Sequence, residues 1–166
     1  MSNVGDIEKM TQSRVVHLFQ EQLGYNYLGN WETRTGNCNI EESILRKYLK
    51  DKKGYNETLM NKALYELNIT TKDLTDGLYS ANKKVYELLR YGVKVKAEAG
   101  ENFETVQLID WKHPLKNEFA IAEEVTISGK NDKRPDIVMY VNGIALGALE
   151  LKRSTISIEE GIRQTS

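Results

Sequence analysis

The dipeptide Asn142-Gly143 constrains the fold of this chain most, because it separates two runs of strand-forming residues, PDIVMYV and IALGALELK. Asparagine and glycine both tolerate positive φ, which the tight turn of a two-stranded hairpin requires. The sequence therefore predicts an antiparallel hairpin. Its two outer ends, at Arg134-Pro135-Asp136 and at Glu150-Leu151-Lys152, then lie side by side in space.

Helical and strand-forming patterns occupy different parts of the chain. Before Gly92, apolar residues recur at helical spacing in four segments: 11–23, 39–49, 57–67 and 81–91. After Gly92, short runs bounded by turn residues predict strands in GVKVKAE, NFETVQLID and NEFAIAEEVTIS, followed by the hairpin. One more helix is predicted from Ser157, where a serine is followed three residues later by Glu160.

These elements predict an α/β fold in one domain, 1–166, whose mostly helical part, 1–92, precedes a sheet-bearing part, 93–166. The length of 166 residues and the hydrophobic content of 40% suit a single domain with a real core. We expect a mixed central sheet of about five strands flanked by helices.

Composition narrows the class of protein but does not identify it. The formal net charge is −1 and the charged residues are interspersed, so the overall charge neither marks a nucleic-acid binder nor excludes one. The single cysteine, Cys38, cannot form an internal disulfide or a cysteine zinc site. Because neither a signal peptide nor a run of ~18 apolar residues occurs, we expect a cytoplasmic protein without membrane contact.

The hairpin ends carry residues with hydrolytic chemistry. Glu150 and Lys152 are two apart on a strand and therefore project to the same face. Two carboxylates such as Asp136 and Glu150 suit Mg²⁺, which takes one or two protein carboxylates beside a phosphate. A nearby lysine can position or deprotonate the attacking water. The structural alternative is that Glu150 and Lys152 are solvent-facing residues of an edge strand.

The register of the hairpin decides whether Asp136 joins Glu150. In a regular two-residue turn, Asp136 pairs with Leu149, and Glu150 falls on the opposite face. A three-residue loop that pairs Tyr140 with Ile144 restores the shared face, and so does a bulge near Gly147. We predict one of these two devices, and a regular two-residue hairpin would contradict the site.

The stretch RPDIVMYVNGIALGALELK resembles the PD-(D/E)xK nuclease core of the restriction (R) subunit of type I restriction-modification enzymes. The resemblance extends upstream through three further segments: LGYNYLGNW, NKKVYELLRYGVKV and VQLIDWKHPLKNEFAIAEEVTI. It covers nearly the whole chain and implies a restriction-endonuclease-like fold. The activity implied is Mg²⁺-dependent cleavage of double-stranded DNA, with Mn²⁺ able to replace Mg²⁺.

The resemblance also implies roles for individual residues. Asp136, Glu150 and the backbone carbonyl of Leu151 would bind the metal, and Lys152 would be the catalytic lysine. The family places a Gln-x-x-x-Tyr motif that contacts DNA on the next helix, and Gln164 matches its glutamine. Its tyrosine would be residue 168, so we expect the chain to be a truncated fragment of a much longer subunit.

Four further residues are weaker candidates at or beside the same site. Related nucleases complete the metal site with a glutamate of the first helix, and the corresponding place here is Gln12, which is equally explained as an exposed helix residue. Glu21 is a second candidate for that ligand. Lys133 and Arg134 form a small basic loop that either contacts DNA phosphates or is simply solvated.

The resemblance implies partners as well, namely double-stranded DNA and the methylation and specificity subunits of the same complex. Longer family members carry an ATP-driven translocase. No Gly-x-x-x-x-Gly-Lys-(Ser/Thr) phosphate loop occurs here, so ATP binding is expected only in the full-length subunit. Two alternatives stay open: a catalytically silent DNA-docking or assembly module of the same fold, and a stand-alone repair or resolvase nuclease.

Overall fold

The computed structural model of the protein describes residues 4–127 and 133–151, with side chains described from residue 8 onward. The helices of this part are α1 (Val4–His17), α2 (Glu42–Asp51), α3 (Glu57–Lys72) and α4 (Leu78–Tyr91). The strands are β1 (Asn26–Asn30), β2 (Val93–Val95), β3 (Glu104–Val106), β4 (Phe119–Glu123), β5 (Ile137–Val141) and β6 (Ile144–Leu149). None of the described helices is both long and apolar enough to cross a membrane.

The chain divides into two compact units that do not follow the order of the sequence. The first unit combines Met1–Asn39 with Phe119–Ser166, and the second is Ile40–Glu118. The first contains α1 and four strands, whereas the second contains α2, α3, α4 and the two short strands β2 and β3. The predicted α/β class, with a helical first half and a mixed sheet, is confirmed.

The sheet of the first unit has the strand order β1-β4-β5-β6. Strands β4, β5 and β6 are antiparallel neighbours, and β1 is parallel to β4, which makes the sheet mixed. On one face, called the α1 face, Val16 and Phe19 form a cluster with Ile121 and Ile137. The opposite face carries a second apolar cluster of Ala120, Ala122, Val125, Val138 and Tyr140. Apolar side chains on both faces bury β4 and β5.

Two of the predicted sheet members were assigned to the wrong sheet. GVKVKAE and NFETVQLID do form strands, but β2 and β3 pair only with each other within the described residues, in a separate antiparallel sheet of the second unit. The fourth strand of the main sheet is instead β1, from NYLGN, which was not predicted as a strand. Its five residues are exposed or half-buried rather than alternating, and one of them is Gly29, at φ +115°.

The second unit has its own core, built on the apolar faces of its helices. Five side chains of this core are at most 2% exposed: Leu45, Tyr48, Leu49, Leu64 and Leu67. Helix α3 begins where the sequence predicted, because the Asn56 side chain accepts a hydrogen bond from the Leu59 N–H (2.9 Å). Helix α2 begins later than predicted, at Glu42 rather than after an Asn39 cap.

Replacement of Gly92 with alanine is expected to destabilise the protein by about 2–3 kcal/mol. Gly92 ends α4 at φ +83°, and a Cβ there would lie 2.6 Å from the Thr105 Cγ2 and 2.9 Å from the Val106 carbonyl oxygen. Gly54→Ala is the matched control, since Gly54 has φ +72° with no heavy atom within 4 Å of its Cβ position. Denaturant unfolding should give the control a cost of only about 1 kcal/mol, and equal costs would contradict the close approach.

Candidate active site

Three strand ends meet at one edge of the main sheet. β4 ends at Glu123, β5 begins just after Asp136, and β6 ends just before Glu150. The Glu124 N–H donates a hydrogen bond to the Asp136 carbonyl oxygen (3.0 Å), and the Leu151 N–H donates to Oδ2 of the Asp136 side chain. Asp136 is therefore held by the ends of both neighbouring strands.

The hairpin reaches this arrangement through a bulge. Asn142 (φ +53°) and Gly143 (φ +84°) form a two-residue turn, so that Val141 pairs with Ile144. Tyr140 then pairs with Ala145, but Met139 pairs with Gly147, which leaves Leu146 as the extra residue of β6. The prediction of a bulge near Gly147 is confirmed.

The bulge places Asp136 and Glu150 on the same face of the sheet. Ile137, Leu149 and Leu151 all belong to the cluster on the α1 face. Side chains alternate between faces along a strand, and continuing this alternation one residue past each strand puts Asp136 and Glu150 on the opposite face. Ile137 and Leu149 form the outermost pair of the hairpin. Asp136 precedes Ile137 and Glu150 follows Leu149, so the two residues lie opposite each other just beyond that pair.

The donor set of this pair fits Mg²⁺. It consists of hard oxygen atoms only, and Mg²⁺ takes one or two carboxylates while keeping several waters. Among the residues that the structure describes, no group of three or more His, Cys, Asp or Glu side chains is placed to hold a metal. Metal binding by the two carboxylates and by the Leu151 carbonyl stays a prediction. Lys152 and Gln164 lie outside the described residues, and their roles stay predictions.

Gln12 occupies the place on α1 where related nucleases carry a glutamate, and it lies at the same edge of the sheet. Its amide N–H₂ donates to Oε1 of Glu123 (2.9 Å) and to Oε1 of Glu124 (3.2 Å). The side chain is half-buried, so the alternative of an exposed helix residue is wrong. Glu21, the second candidate, lies 3.4 Å from the His17 Nδ1, and both side chains are exposed.

Glu123 and Tyr27 are functional candidates that the sequence analysis did not find. The Tyr27 hydroxyl donates to Oε2 of Glu123. Burial and this hydrogen bond, together with the charge of Glu123, raise the pKa of Tyr27 to about 12. The hydroxyl therefore stays protonated at neutral pH and remains a donor. The overlooked signal is the pair Glu123-Glu124 closing the apolar run FAIA, as Glu150 closes the run of β6.

The two basic residues beside Asp136 have different surroundings. The Arg134 guanidinium pairs with Glu32 and, through Nε, with Glu124 (3.0 Å). The Lys133 carbonyl accepts a hydrogen bond from the Ile127 N–H (2.8 Å), and the Lys133 N–H donates to the Ile127 carbonyl (3.2 Å). The Lys133 side chain is exposed. Arg134 is thus bound to carboxylates of its own chain, and contact of either residue with DNA stays a prediction.

Comparison with known proteins identifies relatives of one kind. The family model described as Type I restriction enzyme R protein N terminus matches residues 8–166. The type I restriction enzyme HindI endonuclease subunit of Haemophilus influenzae is 32% identical over 164 residues, which cover 92% of this chain and 15% of that subunit. A Methanocaldococcus jannaschii protein, provisionally named the type I restriction enzyme MjaIXP endonuclease subunit, is 28% identical over 144 residues, or 80% of this chain and 14% of that protein.

The chain thus spans only a small part of the length of these relatives. The family match nevertheless extends over nearly all of its residues and includes both Asp136 and Glu150. This chain belongs to the family of the amino-terminal region of type I restriction enzyme R proteins.

Proposed function

We propose that this chain is the nuclease part of a type I restriction enzyme R subunit and hydrolyses phosphodiester bonds of double-stranded DNA with Mg²⁺. The observation that carries the proposal is the bulge at Leu146, which brings Asp136 and Glu150 onto one face at the ends of adjacent strands. The relatives support it, since they are named as endonuclease subunits. Asp136 is half-buried and Glu150 is exposed, so both carboxylates remain accessible to a ligand from solvent.

Each residue of the site has a separate part in this reaction. Asp136, Glu150 and the Leu151 carbonyl would hold Mg²⁺, or Mn²⁺ in its place. When bound, the cation would supply an activated water and a positive charge that offsets the charge developing on the phosphate. The Leu151 N–H fixes the Asp136 carboxylate against the end of β6, so the two carboxylates keep their spacing. Lys152 would orient the attacking water or take its proton as the P–O bond to the leaving oxygen breaks.

The remaining parts of the proposal concern the whole subunit. We place its DNA substrate in the cytoplasm and its partners among the methylation and specificity subunits of a restriction-modification complex. ATP-driven translocation would belong to other regions of the full-length subunit, because these 166 residues contain no phosphate-loop motif.

Replacement of Glu150 with glutamine tests the proposal in the full-length subunit assembled with its partners. Glutamine keeps the shape of the side chain and removes the charge that would hold Mg²⁺. We expect cleavage to fall by about 100-fold, the equivalent of roughly 3 kcal/mol of transition-state stabilisation. ATP hydrolysis, measured in the same reaction, should persist.

Glu104→Gln is the matched control, since it removes the same charge from an exposed position of β3 in the other unit. It should leave both activities unchanged. If Glu150→Gln cleaves DNA like the control, Glu150 is an ordinary edge-strand residue. The catalytically silent docking module would then be the better description of the chain.

A further inference from the structure

A rigid loop in the second unit displays charged and aromatic side chains on its surface. Asn117 fixes this loop, residues 110–117: its Oδ1 accepts from the Asp110 N–H (2.8 Å), and its Nδ2 donates to the carbonyls of Asp110 (3.0 Å) and Pro114 (2.8 Å). The Asp110 carboxylate in turn accepts from the His113 N–H (2.9 Å). The backbone is thus held from within, which fixes the positions from which its exposed side chains project.

Cationic side chains surround two recesses on the flank of this loop. One recess, of about 390 Å³, is lined by Lys52, Lys53 and Lys116 among others. The second, of about 450 Å³, is lined by Lys53, Arg90 and Lys112. Both recesses share Lys53 and Asp110, so they form one continuous surface. We call this surface the basic face and define it by five residues: Lys52, Lys53, Arg90, Lys112 and Lys116.

The basic face keeps a positive charge after its internal ion pair is counted. Lys53 Nζ lies 2.8 Å from Oδ2 of Asp110, and these side chains are 21% and 12% exposed. The hydrogen bond from Lys53 lowers the pKa of Asp110 to about 2, so the two charges cancel at neutral pH. Four cations then remain against Glu118, the other carboxylate that lines the recesses.

An indole adds a flat aromatic surface to the same face. The Trp111 Nε1 donates to the Leu89 carbonyl (2.7 Å), which fixes the ring although 44% of the residue is exposed. The Arg90 guanidinium lies 5.3 Å from the ring centroid. Lysine is depleted in protein–protein interfaces, whereas clustered lysine and arginine side chains neutralise the phosphates of duplex DNA.

We propose that the basic face binds the phosphate backbone of duplex DNA, as a docking surface built from residues other than the strand-end carboxylates. The proposal rests on the proposed DNA substrate. Such contacts carry no sequence information but position the protein on the duplex. They also explain how a chain of net charge −1 engages DNA, because its cations are concentrated where they act together.

The test removes three exposed lysines of this face together, Lys52→Gln, Lys112→Gln and Lys116→Gln, in the full-length subunit without ATP. Binding of a non-specific duplex is measured across a range of salt concentrations. Each phosphate contact contributes about 0.9 to the slope of log K against log salt, so the slope should become shallower by about 3. The lost counterion release predicts binding weaker by about 500-fold at about 0.1 M salt.

Two matched variants distinguish an effect of the basic face from a general effect of removing positive charge. The triple variant Lys47→Gln, Lys72→Gln and Lys83→Gln removes the same charge from exposed lysines of the same unit outside both recesses, and it should keep the wild-type slope. The triple variant Lys52→Arg, Lys112→Arg and Lys116→Arg keeps the positive charge and should also keep the wild-type slope. A basic-face variant whose slope equals that of the control overturns the proposal. Unchanged DNA binding with lost subunit assembly overturns it in favour of a protein partner.

The outcome is independent of the catalytic proposal. Glu150→Gln should bind duplex DNA with the wild-type slope while failing to cleave it, and the basic-face variant should cleave at low salt. Continued cleavage by Glu150→Gln would remove the assigned site and leave the basic face intact. An unaltered slope in the basic-face variant would overturn the basic face and leave the assigned catalytic site intact.

Discussion

Alanine in place of Asp136 is expected to reduce DNA cleavage by about 1000-fold, more than Glu150→Gln does. The substitution removes a carboxylate that would hold Mg²⁺ and also the acceptor of the Leu151 N–H. Losing the acceptor would release the chain just after β6, where Glu150 lies, so both proposed metal-binding residues would be disturbed. Tenfold in rate corresponds to about 1.4 kcal/mol, and the loss is therefore about 4 kcal/mol.

Asparagine at position 136 separates these two contributions. It keeps an oxygen that can accept from the Leu151 N–H and removes only the charge, so its cleavage should lie between that of Asp136→Ala and that of the wild type. Cleavage by the reconstituted complex is measured for both variants, with Asp51→Ala as a control at an exposed carboxylate of α2. Wild-type cleavage by Asp136→Asn would show that the carboxylate charge has no part in the reaction.

The hairpin is the part of the candidate site that could be predicted from the sequence. Asn142-Gly143 is a local signal, and a two-residue turn fixes the pairing of Val141 with Ile144. From there the requirement that Asp136 and Glu150 share a face predicts an irregularity in the second strand. The bulge falls at Leu146, beside Gly147, whose missing side chain leaves room for Met139.

The sequence could not predict which strands share a sheet, because strand pairing depends on residues far apart along the chain. β1 is a half-exposed strand whose identity depends on β4, more than ninety residues away along the chain. By contrast, β2 and β3 carry good strand patterns, but within the described residues they pair only with each other. Periodicity indicates that a segment is extended, and it does not say which strand lies beside it.

The contacts of Gln12 were unpredictable for the same reason. The position of Gln12 on the first helix was inferred from a resemblance, whereas its partners Glu123 and Glu124 lie more than a hundred residues further on. Only the folded chain shows that an amide at this place bridges two glutamates. Its neutral side chain therefore donates to carboxylates where a glutamate would repel them.

The largest effect on stability is expected from Ile137→Ala, at about 2–5 kcal/mol. Ile137 is 0% exposed, on the central strand β5, and belongs to the cluster that α1 forms with the sheet. Truncation removes apolar contacts and leaves a cavity between α1 and the sheet, which the surrounding side chains would fill only in part. Since folded domains are stable by only about 5–15 kcal/mol, the loss should be visible in denaturant unfolding.

Ile127→Ala makes the same chemical change in the same unit, where the side chain is 42% exposed, and it should cost less than about 1 kcal/mol. The comparison also bears on the site, because Ile137 is the residue next to Asp136. If α1 packing fixes the position of the strand ends, Ile137→Ala should lower cleavage even at temperatures where the variant remains folded. Equal stability of the two variants would mean that the α1 face is not the structural support of the candidate site.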